Sequence, residues 1–268
     1  MPVEKIESRQ NPRIKTLVKL RERKYRDALG LYCIEGVRET SRAQRSPAIR
    51  LQELYICPSL FRTAATQAII DRAKTQGTAI FEVAPLAFER ACYREGPDGI
   101  LAVAATELPA LSTLHIGDQA LLLVVEGIEK PGNLGALLRS ADSVGADALI
   151  CCDLELDVFN PNVIRASQGA FFSVPTYLAS PQATCQFLCC HAIQVLTTTP
   201  QASTVYWDAD FTQPSAIVMG NEHTGLTKTW LEAQHTPICI PQRGCSDSLN
   251  VAAAATLVLY EALRQRSQ

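Results

Sequence analysis

The chain has 268 residues, 47% of them hydrophobic and 19% charged, with a formal net charge of −2. Such values exclude a disordered or fibrous protein, and the length suits two domains better than one at a prior of ~150 residues each. The opening MPVEKIESRQ lacks the apolar stretch of a signal peptide. The longest apolar run, 251–260, is about half the ~20 residues of a membrane helix, so the expectation is a cytoplasmic protein without membrane contact.

Asn11 followed by Pro12 reads as a cap and first helical position, which predicts a helix over 11–28 with Ile14, Leu17 and Val18 as its apolar face. Seven basic residues fall in this stretch, among them Arg13, Lys15, Lys19 and Arg23. Residues 1–50 hold 13 Lys/Arg against 6 Asp/Glu, whereas the other 218 hold 12 against 21. A local basic surface docks a polyanion even on a mildly acidic protein; a solvated helix face is the other reading. Apolar runs at 51–57, 78–83 and 100–105 read as strands, with a helix over 60–76 between the first two. The expectation is a small α/β domain over 1–106, then a linker over 107–119 where periodicity is lost.

A second alternating series fills 120–268. Strands are expected at 120–126, 148–152, 192–197, 216–219 and 236–240, and helices at 133–144, 181–190 and 249–265. Ten cysteines in a chain of this size without an export signal read as small reduced hydrophobes. The cluster Cys185, Cys189, Cys190 and His191 lacks the second ligand pair of a zinc site, so no metal is expected. The obvious nucleotide and hydrolase signatures are missing: no G-x-G-x-x-G follows the strand at 120–126, and neither a P-loop nor a G-x-S-x-G elbow occurs.

Three other segments stand at strand-to-turn or turn-to-helix junctions: EKPGNLGALLRSAD (129–142), IVMGNEHTGL (217–226) and IPQRGCSDSLNVAAAATLVLYEA (240–262). In this order they resemble the three motifs of the SpoU (TrmH) family of S-adenosylmethionine-dependent RNA ribose 2′-O-methyltransferases, of the SPOUT class. NPNVIRASQGAFFSVP (160–175) is also similar to that family, and 1–106 resembles the RNA substrate-binding domain that often precedes it. On the residues themselves, Asn133 is expected to cap the helix that carries Arg139, whose guanidinium suits a phosphate or ribose oxygen. Gly220 permits close backbone approach, Glu222 offers a carboxylate at the turn, and Ser248 and Asn250 stand where the last helix begins, as caps or as more than caps.

The resemblance implies a mostly parallel α/β catalytic domain with a deep trefoil knot, working as a homodimer. It implies S-adenosylmethionine as cofactor, held by Thr198, Gly220, Asn221, Glu222, Ile240 and Leu249. It implies a catalytic and RNA-positioning set of Asn133, Arg139, Glu222, Ser248 and Asn250, with Arg13, Lys15, Lys19, Arg23 and Arg165 toward RNA. The partner expected is ribosomal RNA, with transfer RNA as the enzymatic alternative and no DNA. A non-catalytic RNA-binding or ribosome-assembly protein is the rival from another class. His223, Gln242 and Ala252 depart from the residues frequent at those places of the family, without removing a matched catalytic residue.

Overall fold

The structure is a computed structural model describing residues 4–245 and 248–267. The chain forms two compact units, one running to Glu107 and including Asp157–Ser173, the other comprising Leu108–Leu156 and the chain from Val174 onward. Residues 157–173, within the stretch read from sequence as the second domain, thus pack in the first unit.

The first unit runs β1 (Glu4–Ile6), α1 (Pro12–Lys19), α2 (Arg23–Leu29), β2 (Leu31–Glu35), α3 (Val37–Ala43), β3 (Leu51–Ile56), α4 (Ala65–Thr75), β4 (Ala79–Val83), α5 (Pro85–Ala91) and β5 (Ile100–Ala105). Its five-stranded sheet has the order β1-β4-β3-β5-β2, with β5 antiparallel to both neighbours. The single helix expected over 11–28 is two helices. Asn11 caps α1 as expected, accepting from the Arg13 N–H at 2.8 Å. The break after Lys19 lets Leu20 join Ile14 and Leu17 in the core. It also turns Arg26 inward, where Nη1 donates to the Leu20 carbonyl at 2.8 Å and Nε to Asp157 Oδ2 at 2.7 Å. A continuous helix would leave that carbonyl bonded to its own backbone and Arg26 without its acceptors.

The second unit's strands are β6 (Leu121–Glu126), β7 (Ala148–Cys152), β8 (Thr176–Ala179), β9 (Gln194–Thr198), β10 (Thr204–Val205), β11 (Ser215–Met219) and β12 (Thr236–Cys239). They form one sheet, order β10-β12-β9-β11-β6-β7-β8, in which every described pairing is parallel. Strands β6, β7 and β11 are buried along their whole length, as a parallel sheet covered on both faces requires. The helices between them are α6 (Pro131–Val144), α7 (Pro161–Ala166), α8 (Pro181–Cys190) and α9 (Lys228–Leu231), and α10 (Val251–Arg266) follows the last strand. Of these α7 belongs to the first unit, where Phe159 and Phe171 on either side of it pack on Tyr32 with ring centroids 4.7 and 6.5 Å apart.

Candidate active site

The site assembles where β6, β9, β11 and β12 end, the edge at which open α/β sheets place their ligands. Helix α6 starts earlier than expected: Pro131 occupies its first position and Lys130 is the capping residue. Asn133 is therefore not the cap, and its side chain is left for other partners. Its Nδ2 donates to Glu222 Oε1, and its Oδ1 accepts from Asn250 Nδ2 at 3.0 Å. Asn250 caps α10, accepting from the Ala252 and Ala253 N–H groups at 3.0 and 3.4 Å. Three residues from three distant segments thus form one chain of hydrogen bonds. The Glu222 carboxylate lies beside the first turn of α6, the helix end that favours negative charge. A second contact, between the Ser140 and Thr256 hydroxyls at 2.6 Å, ties α6 to α10 further along.

Glu222 stands on a tight hairpin in which Asn221 and Gly225 exchange backbone hydrogen bonds, both at 3.0 Å. Gly220 is obligatory there, because a Cβ would come within 2.5 Å of the Gly225 carbonyl carbon. Asn221 is spent on the loop itself: Oδ1 accepts from the His223 and Thr224 N–H groups at 2.8 and 3.1 Å. Its Nδ2 donates to the Gly127 carbonyl at 2.7 Å and to Glu129 Oε1 at 2.9 Å.

Arg139 lies six residues beyond Asn133, about 9 Å along the helix. It is exposed, and its guanidinium makes no hydrogen bond or ion pair with the described residues. Ser248 is exposed two residues before the α10 cap, and its neighbours Ser246 and Asp247 lie outside the described residues. Thr198 ends β9 and donates to the Val218 carbonyl at 2.8 Å. Ile240 follows β12 directly, and Leu249 is an exposed apolar side chain at the start of α10. Among the described residues no group of three or more His, Cys, Asp or Glu is placed to hold a metal; Cys185 Sγ lies 4.0 Å from His235 Nε2. Burial moves His235 below the usual imidazole range and pushes the Cys152 thiol up to about 12.

Of the residues expected to face RNA, Lys15, Lys19, Arg23 and Arg165 are exposed in the first unit. Arg13 is more engaged. Its Nη1 donates to Glu53 Oε1 at 2.6 Å, and the guanidinium lies 4.1 Å from the Phe81 ring centroid.

Residues 120–260 match the SpoU rRNA Methylase family, and residues 11–102 match the MRM3-like substrate binding domain. The chain belongs to the SpoU rRNA methylase family. It is 27% identical to the 23S rRNA (guanosine(2553)-2'-O)-methyltransferase RlmP of Bacillus subtilis, over 96% of this chain and 98% of that one. A solved RNA 2'-O ribose methyltransferase shares 40% identity, with a TM-score of 0.84 over 98% of this chain and 100% of its own. The SpoU methyltransferase AviRb from Streptomyces viridochromogenes, in complex with the cofactor AdoMet, is 28% identical with a TM-score of 0.85, over 96% and 99% of the two chains.

The SpoU motifs as placed here fit S-adenosylmethionine. Thr198, Gly220 and Ile240 stand at the ends of three adjacent parallel strands, β9, β11 and β12. Gly220 leaves backbone without a side chain at the end of β11, and Ile240 and Leu249 carry apolar side chains, the mixture a nucleoside with one apolar face and many acceptors needs. Sequence reasoning missed Glu126, Glu129 and Thr227. The signal was present in Glu126, the one carboxylate in the otherwise apolar run LLLVVE.

Proposed function

We propose that this chain methylates the ribose 2′-hydroxyl of a nucleotide in ribosomal RNA, with S-adenosylmethionine as donor. The observation that carries the reading is the Glu222–Asn133–Asn250 chain, which joins all three SpoU motifs at the ligand edge of the sheet. Bound there, the cofactor supplies a methyl group already activated on a sulfonium. What the protein adds is alignment, a contribution worth up to roughly 7–11 kcal/mol. Thr198, Gly220, Asn221, Glu222, Ile240 and Leu249 hold the cofactor. The Arg139 guanidinium offers a planar fork of N–H donors, so its part is to hold an RNA phosphate and orient the attacking hydroxyl, beside Ser248 and the ordered Asn133. The exposed basic residues of α1 and α2, with Arg165, carry the RNA. The same reading includes a cytoplasmic homodimer with the trefoil-knotted threading of its class. Exposed Leu257 and Tyr260 on α10 support a second copy as the partner on that face. No helix among the described residues is long and apolar enough to cross a membrane.

The test is transfer of labelled methyl from S-adenosylmethionine to unmodified ribosomal and transfer RNA pools, followed by nuclease digestion, with Arg139→Ala alongside. Label on a ribose of ribosomal RNA, reduced at least about a hundredfold in the variant, is expected. Label on a base, or only on transfer RNA, would overturn the reaction or the substrate respectively.

A further inference from the structure

We propose that Glu126, acting through Thr227, is a positioning residue that fixes the loop bearing Asn221 and Glu222; the role rests on the methyltransferase reading above. Glu126 ends β6 and is only 2% exposed. A carboxylate buried in this way is costly unless its oxygens are hydrogen-bonded. Oε2 accepts from the Thr227 N–H and Oε1 from the Thr227 hydroxyl, both at 2.8 Å. A valine would fill the strand end without that cost; what the carboxylate adds is a fixed exit point for the loop.

The opposite end of the loop is held by the same short segment, through Asn221 Nδ2 on the Gly127 carbonyl and Glu129 Oε1. Glu222 therefore rides on a hairpin pinned at both ends to 126–129. That segment runs directly into Pro131 and α6, which carries Asn133. Both partners of the Asn133–Glu222 hydrogen bond are thus placed by one stretch of backbone, and the Glu126–Thr227 pair closes the frame.

Three measurements test this on Glu126→Leu, Thr227→Val and Thr227→Ser. They are hydrogen exchange of the loop amides in the cofactor-free protein, S-adenosylmethionine affinity by calorimetry, and the split between KM and kcat for RNA methylation. Leucine at 126 removes both acceptors of the Thr227 N–H and hydroxyl, and valine at 227 removes the hydroxyl. Each should speed exchange of the Asn221, Gly225 and Thr227 amides by about tenfold or more. Each should also weaken cofactor binding by a similar factor and lower kcat while KM for RNA holds. Thr227→Ser keeps both donors and should restore the wild-type values. Wild-type exchange and affinity in both clamp variants overturn the proposal. So does a lowered melting temperature with unchanged affinity and kcat, which would make the pair merely structural. Faster loop exchange in a protein whose wild type transfers no methyl group supports the clamp and overturns the methyltransferase reading instead.

Discussion

The amide of Asn250 divides its two ends between different tasks. Its oxygen caps α10 through the Ala252 and Ala253 N–H groups, and its nitrogen donates to Asn133. Substitutions separate the two. Asn250→Ala removes both and should cost about 1 kcal/mol of stability, the usual value of a cap. Asn250→Asp keeps the acceptor and adds negative charge at a helix N-terminus, so stability should hold. It still loses the donor to Asn133, and methyl transfer should fall about tenfold or more in both variants. Urea unfolding and initial rates on ribosomal RNA read the two effects apart. A wild-type rate in Asn250→Asp would show that the Asn133 contact does nothing for the reaction. The position of Asn250 before the last apolar run pointed to a cap, and the family resemblance implied a further role in the site. Sequence spacing misplaced Asn133, because Pro131 starts α6 two residues earlier and frees the Asn133 amide.

Among the elements, those of the second sheet were legible wherever a strand is buried on both faces, since LLLVVE and ALICC are continuous apolar runs. Short elements of the first unit were not. Strand β2 alternates buried and half-buried residues over five positions between Gly30 and Gly36, and α3 reads VRETSRA with little apolar periodicity. Such pieces are set by tertiary packing rather than propensity. The break between α1 and α2 is the clearest instance, because its cause lies at Asp157, 131 residues from Arg26 in the sequence. Arg26 is 2% exposed and its Nη2 lies 2.6 Å from Asp157 Oδ2. Removing one partner of a buried ion pair strands the other charge, at a cost of about 3–5 kcal/mol. Asp157→Ala should therefore destabilise the protein by roughly that amount in urea unfolding. A loss within the range of an exposed pair, below about 1 kcal/mol, would mean that water already reaches the site.

For the molecule as a whole, charge is the property that its net value hides. The total of −2 conceals an excess of basic residues in the first fifty positions, and the structure divides these by what they touch. Arg13 is held by Glu53 and lies over Phe81, so it supports the first unit's packing as much as its potential. Lys15 and Lys19, one turn apart on α1, are exposed. Each contact between a lysine and an RNA phosphate releases condensed counterions, so binding weakens linearly with the logarithm of salt, by about 0.7 per phosphate for single strands. Reversing both lysines to glutamate should weaken RNA binding and flatten that slope by about 1 to 2. Affinity for S-adenosylmethionine, whose proposed site lies in the other unit, should stay as it was. Arg13→Ala should act differently, losing stability through its lost packing while changing the slope little. Filter binding across a salt series, with calorimetry for the cofactor, measures both. An unchanged slope in Lys15→Glu/Lys19→Glu would make the basic run a solvated helix face and move the RNA footprint elsewhere on the protein.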